Sequence, residues 1–238
     1  MTGNLWADQN SADKAGSQVQ ENTLKSRLDS LREANEAQTP PEMKVIGLRQ
    51  QEALLKDRVA ETALQVGAKA PEFSLPDAYG KAVNSADLLK SGPVIVTFYR
   101  GSWCPYCNLT LHELQQSLTA FEAEGATLVA ISPEQPDLEL ETVKQHGLLF
   151  PVLSDHGLKV AKEFGVVYDL TPELDSLMTG FGVDMAAHNG AAKPELPLGA
   201  TYVIDQQGII RYAFLSVDYT KRAEPADILA ALRRIKKS

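Results

Sequence analysis

Cysteine is nearly absent from this chain: there are two, Cys104 and Cys107, in 238 residues. So few exclude a scaffold of several disulfides, and a spacing of three turns the question from stability to chemistry. Long apolar runs are also missing. None approaches the roughly 20 residues that a membrane-crossing helix needs, so no membrane span is expected. An excess of positive charge is lacking too. The 23 Lys and Arg are outnumbered by 31 Asp and Glu, for a net charge of −8, which opposes binding to nucleic acid or to an anionic membrane surface. The opening stretch, MTGNLWADQNSADKAGSQVQ, has no basic start followed by an apolar core. A secretory signal is therefore not expected, and a cytoplasmic location is. Histidine is scarce, and none of His112, His146, His156 and His188 forms a second paired motif beside the cysteines. A zinc site would need two more ligands of that kind, so neither a metal nor another cofactor is expected.

What is present suits a globular chain with one sizeable core and an additional subdomain. Residues 1–20 are polar and small and read as a flexible tail. Residues 21–65 read as an N-terminal helical extension. Leu24, Leu28 and Leu31 stand at helical spacing, and Thr39-Pro40-Pro41-Glu42 reads as a capping box opening a second helix that runs to about residue 63. Leu48, Leu55 and Val59 form its apolar stripe. Both helices are expected to pack on the main domain, with a homodimer contact as the alternative.

Residues 66–238 form the main domain. The run Val94-Ile95-Val96-Thr97-Phe98-Tyr99 reads as a buried strand, followed by a helix over 105–124 that stops at Gly125, and a second buried strand over 126–131. Strand, helix, strand is the unit of parallel sheets and defines an α/β class. Helices are expected over 137–146 and 158–164, with a short strand over 150–153 between them. Thr171-Pro172-Glu173 opens a further helix to about residue 178. Residues 180–198 read as a long loop or insertion. A hairpin turns at Asp205-Gln206-Gln207-Gly208, and a helix over 225–236 closes the chain.

Cys104-Pro105-Tyr106-Cys107 sits between the first strand and its helix. Residues three apart in a helix have Cα atoms about 5 Å apart, and a disulfide accepts roughly 4.4–6.8 Å. The pair can therefore open and close without rebuilding the fold. A helix start stabilises a thiolate and can bring a thiol pKa from about 8.5 into the range of roughly 3.5–7.5. On this reading Cys104 is the more exposed and more acidic thiol, and Cys107 the shielded one. Pro105 suits the first helical turn. Arg100 adds positive charge or is a solvated loop residue, and Trp103 covers one side of the site or simply packs. A permanent bridge would close a very small loop and gain little, so reversible redox work is the favoured use.

The segment Thr97-Phe98-Tyr99-Arg100-Gly101-Ser102-Trp103-Cys104-Pro105-Tyr106-Cys107 resembles the peroxiredoxin-like branch of the alkyl hydroperoxide reductase / thiol-specific antioxidant family. The resemblance extends to Val66-Gly67-Ala68-Lys69-Ala70-Pro71-Glu72-Phe73, to Phe150-Pro151-Val152-Leu153-Ser154-Asp155, and to Thr201-Tyr202-Val203-Ile204-Asp205. It implies a thioredoxin-like fold, a central mixed sheet flanked by helices. It also implies a thiol peroxidase cycle, with a hydroperoxide substrate and a thioredoxin- or glutathione-type reductant. Against the family pattern P-x-x-x-T-x-x-C, Arg100 stands at the proline, Cys104 at the threonine and Cys107 at the peroxide-attacking cysteine. Gly199 stands where peroxiredoxins usually have an arginine and thioredoxin-like proteins a cis-proline. The Pro-Tyr dipeptide is similar to glutaredoxins, which keeps a protein disulfide reductase open. A non-enzymatic redox-sensing module is the third reading.

Overall fold

The computed structural model describes residues 23–236, so the tail expected over 1–20 lies outside the described residues. Three helices lead: α1 (Leu24–Gln38), α2 (Pro41–Lys56) and α3 (Val59–Thr62). A β-hairpin of β1 (Ser74–Pro76) and β2 (Ala82–Asn84) and helix α4 (Ser85–Ser91) precede β3 (Val94–Phe98). Then follow α5 (Pro105–Gln116), α6 (Leu118–Ala123), β4 (Thr127–Ser132), α7 (Pro136–His146), β5 (Val152–Ser154) and α8 (Lys159–Glu163). The chain continues through β6 (Val167–Asp169), α9 (Pro172–Gly180), α10 (Met185–Asn189) and β7 (Glu195–Pro197). It ends with β8 (Thr201–Ile204), β9 (Ile210–Phe214) and α11 (Pro225–Ile235). No described helix is long and apolar enough to cross a membrane.

The main sheet has the order β5-β4-β3-β8-β9. β3 pairs in parallel with β4, opposing Val96 to Val129, and antiparallel with β8, opposing Val96 to Tyr202. The sheet is mixed and flanked by helices, as the resemblance implies. β3 is buried on both faces, which is why its sequence is a continuous apolar run rather than an alternating one. Alternate residues serve two cores. Val94, Val96 and Phe98 face one that holds Phe164 and Tyr202. The three rings meet there, with Phe98 to Phe164 and Phe164 to Tyr202 centroids each 5.1 Å apart. Ile95 faces the other core, which takes Leu111 and Leu114 of α5 and Ile228 and Leu232 of α11.

α1 spends Leu24 and Leu28 in that second core, so it packs on its own domain. Three expectations for this region need correction. Thr39 does not open α2 with a capping box. Its amide and hydroxyl both return to the Asn35 carbonyl and close α1. The second helix does not continue to residue 63 but breaks at Arg58, which is left-handed at φ 54°. Leu48 and Leu55 do not form its buried stripe. They are 58% and 59% exposed, and Leu54 and Gln50 are buried instead. Gln50 reaches across to bond the Asp169 carbonyl at 3.1 Å and the Thr171 amide at 2.7 Å, so a polar side chain anchors this helix. The stretch over 180–198 is also no plain loop. α10 is capped by Asp184, which accepts from the Ala187 amide, and β7 pairs with β6.

Candidate active site

β3 hands the chain through Tyr99, Arg100, Gly101, Ser102 and Trp103 to Cys104, the N-cap of α5. Pro105 takes the first helical position, where its missing N–H costs no bond. Cys107 lies one turn on, its amide bonded to the Cys104 carbonyl at 3.0 Å. Both thiols are free, and neither residue has any exposed surface. Cys104 is therefore not the exposed partner that the helix-start position suggests.

The cover consists of charge and aromatic rings. Arg100 Nη2 donates to Cys104 Sγ at 3.1 Å. The structure thus puts this arginine on the sulfur, not in solvent. Its guanidinium lies over the Trp103 ring at 5.1 Å and the Tyr219 ring at 4.8 Å. Tyr219 meets Tyr106 edge-on at 5.5 Å, and Asn35 of α1 donates to the Tyr106 hydroxyl at 3.2 Å. The N-terminal helix therefore braces the tyrosine between the two cysteines.

The residue that sequence reasoning missed is Arg222. It lies in the segment 215–224 between β9 and α11, and its Nη2 donates to Cys107 Sγ at 3.1 Å. Its Nη1 donates to the carbonyls of Tyr219 and Lys221, both at 2.7 Å. Gly199 makes the space. A Cβ there would stand 2.6 Å from Arg222 Cζ and 2.7 Å from its Nε, closer than real contacts allow. The glycine at the usual arginine position thus leaves room for an arginine from elsewhere. Among the described residues no peptide bond is cis.

These contacts set the thiols apart. Burial pushes Cys104 up, but the hydrogen bond from Cys107 and the charges of Arg100 and Arg222 outweigh it and hold it well below the ordinary thiol value. Cys107 moves the other way. Burial, together with the hydrogen bond to Cys104 and the negative charge there, keeps its proton on. The Cys104 sulfur accepts no amide bond from the first turn of α5, so its preference comes from the guanidinium groups and its sister thiol.

A buried carboxylate fixes the loop before the dithiol. Glu134 accepts from the Ser102 amide at 2.8 Å and its hydroxyl at 2.9 Å. His188 of α10 reaches the same carboxylate at 3.1 Å. No histidine meets a cysteine sulfur among the described hydrogen bonds, but His188 is tied to this loop through Glu134. Gly101 has φ 138°, and a Cβ there would stand 2.8 Å from Glu134 Oε1 and 2.6 Å from Trp103 Nε1. Gly101→Ala is expected to cost about 1–3 kcal/mol in urea denaturation, the usual range for such backbone strain. It should also lower the alkylation rate of Cys104, because Arg100 is the next residue.

A dithiol at the junction of a central strand and its following helix, in a mixed sheet of this order, is the arrangement of a thioredoxin-like fold. The profile of the AhpC/TSA family matches residues 66–213, and the chain belongs to that family. It is 32% identical over 159 residues to the chloroplastic peroxiredoxin Q of Oryza sativa subsp. japonica, covering 67% of this chain and 63% of the relative. It is 31% identical over 104 residues to the thiol-disulfide oxidoreductase ResA of Bacillus anthracis, covering 43% of this chain and 59% of the relative. The chain thus spans less than two thirds of these relatives' lengths. Among solved structures, Peroxidoxin BcpB from Mycobacterium tuberculosis superposes with a TM-score of 0.57 at 24% identity, covering 72% of this chain and 98% of that one.

Proposed function

We propose that this protein reduces hydroperoxides through a Cys104–Cys107 dithiol cycle. The Cys104 thiolate attacks the terminal peroxide oxygen. An S–O bond forms, the O–O bond breaks, and the departing alkoxide or hydroxide takes up a proton. Cys107 then attacks the sulfenic sulfur, expels water and closes the bridge. A thioredoxin- or glutathione-type thiol restores the dithiol by exchange.

The observation that carries this reading is a sulfur with no exposed surface that accepts a hydrogen bond from a guanidinium. A small peroxide needs only a narrow path to such a sulfur. A protein disulfide must bring a far larger partner in line with the attacking sulfur, so peroxide has the easier approach to the covered Cys104. One observation favours disulfide exchange instead: charge gathers on Cys104, the residue that thioredoxin-type exchange uses first. Turnover of hydrogen peroxide, an organic hydroperoxide and a protein disulfide, each with thioredoxin and glutathione donor systems, separates the two. Peroxide turnover should exceed disulfide turnover by about tenfold or more, a barrier difference of about 1.4 kcal/mol. The reverse order would replace the peroxidase reading with the reductase one.

A further inference from the structure

Arg222 is nearly buried, at 6% exposure, and has no carboxylate partner among the described contacts. Burying a guanidinium without an anion is costly, so its place needs a reason. Its hydrogen bond goes to one sulfur, that of the thiol that keeps its proton in the reduced protein, while its charge also reaches the Cys104 thiolate. Arg100 meanwhile serves Cys104. Each sulfur thus has its own guanidinium donor, and the two are supplied by segments far apart in the chain.

We propose that Arg222 is a catalytic residue of the second half of the cycle, holding Cys107 ready to close the bridge once Cys104 has been oxidised. The assignment rests on the dithiol reading above. While Cys104 is a thiolate, its negative charge and its hydrogen bond keep the proton on Cys107. Peroxide removes that charge, because Cys104 becomes a neutral sulfenic acid. The charges of Arg222 and Arg100 then act on Cys107 unopposed and favour its thiolate, and Arg222 is the one that also donates a hydrogen bond to that sulfur. The Cys107 proton leaves with the sulfenic oxygen as water, and the S–S bond forms with no further oxidant or reductant. The order of events is thereby set by charge: Cys107 stays protonated before the peroxide is used and ionises after it. Gly199 belongs to the same device, since any side chain there displaces the guanidinium.

The test removes the Cys104 charge by mutation and needs no peroxide. In the Cys104→Ser protein, the pH dependence of Cys107 alkylation should show a more acidic thiol than in the intact dithiol. Adding Arg222→Gln should move that thiol back up by a unit or more, which lowers the alkylation rate at neutral pH by about tenfold. Arg222→Lys should restore part of it, which guards against a folding artefact in the glutamine variant. An unmoved Cys107 profile in both variants overturns the proposal. With both cysteines present and one equivalent of peroxide, Arg222→Gln should slow closure of the bridge far more than formation of the sulfenic acid. Equal slowing of both steps would also overturn it. Failure of the wild-type protein to form any sulfenic acid would instead strike the peroxidase reading, leaving the alkylation result to stand or fall alone.

Discussion

Cys104→Ser is expected to abolish peroxide consumption, by about a thousandfold or more, whereas Cys107→Ser should still consume one equivalent and stop at a sulfenic acid. The first removes the only sulfur that carries charge in the resting site. A loss of that size is about 4 kcal/mol of transition-state stabilisation. The second removes the partner that closes the bridge and leaves Cys104 open to over-oxidation. Alkylation against pH adds a direction. Because the Cys104 value is depressed, its thiolate fills as pH rises through that low value, and the rate should level off well short of the ordinary thiol range of about 8.5. Rapid sulfenic acid formation in Cys104→Ser, at Cys107, would return the peroxide-attacking role to the residue that the family alignment gives.

Glu139→Gln should produce the largest change in pH-dependent stability. Glu139 is fully buried on α7, and its carboxyl accepts from the hydroxyls of Tyr99 and Ser132. Burial raises it from 4.5 to about 8, against the pull of those two hydroxyls, and the charge of Glu134 adds to the rise. Between 4.5 and about 8 the unfolded chain has lost this proton while the folded chain keeps it. The unfolded state then binds fewer protons, so stability falls as pH rises, by up to about 1.4 kcal/mol per pH unit from this group alone. Above the folded value both states are ionised and the slope ends. The glutamine variant retains the shape without the titration. Its stability relative to wild type should climb by several kcal/mol between about pH 5 and pH 8 in denaturant melts. Parallel curves for the two proteins would show that Glu139 does not hold its proton.

The central sheet was legible in the sequence because β3 and β4 are buried on both faces and read as unbroken apolar runs. The dithiol was legible because its spacing and its place after β3 are local. The role of Arg100 was half legible, since an arginine next to a cysteine turn can point either way. Arg222 was not legible at all. Its contact spans 115 residues and depends on the space left at Gly199, which in the sequence reads only as a missing arginine. The face of α2 was misread for a related reason. Leucines are normally the buried residues of an amphipathic helix, but here Gln50 is drawn inward by two backbone groups of another segment. α10 and β7 escaped notice because five and three residues are too few to show a period.

The two cations that lie on the sulfurs also bear on how strongly the bridge oxidises its partners. Arg100 and Arg222 find their anion only in the reduced site, where Cys104 is charged. A disulfide carries no charge, so closing the bridge leaves both guanidinium groups without an anion, with only aromatic faces and backbone carbonyls as partners. The reduced form is thereby favoured, and the reduction potential shifts in the oxidising direction, by about 30 mV for each tenfold of preference. A bridge poised in this way gives up its oxidising equivalents readily, so that regeneration by a weakly reducing thiol pool runs downhill.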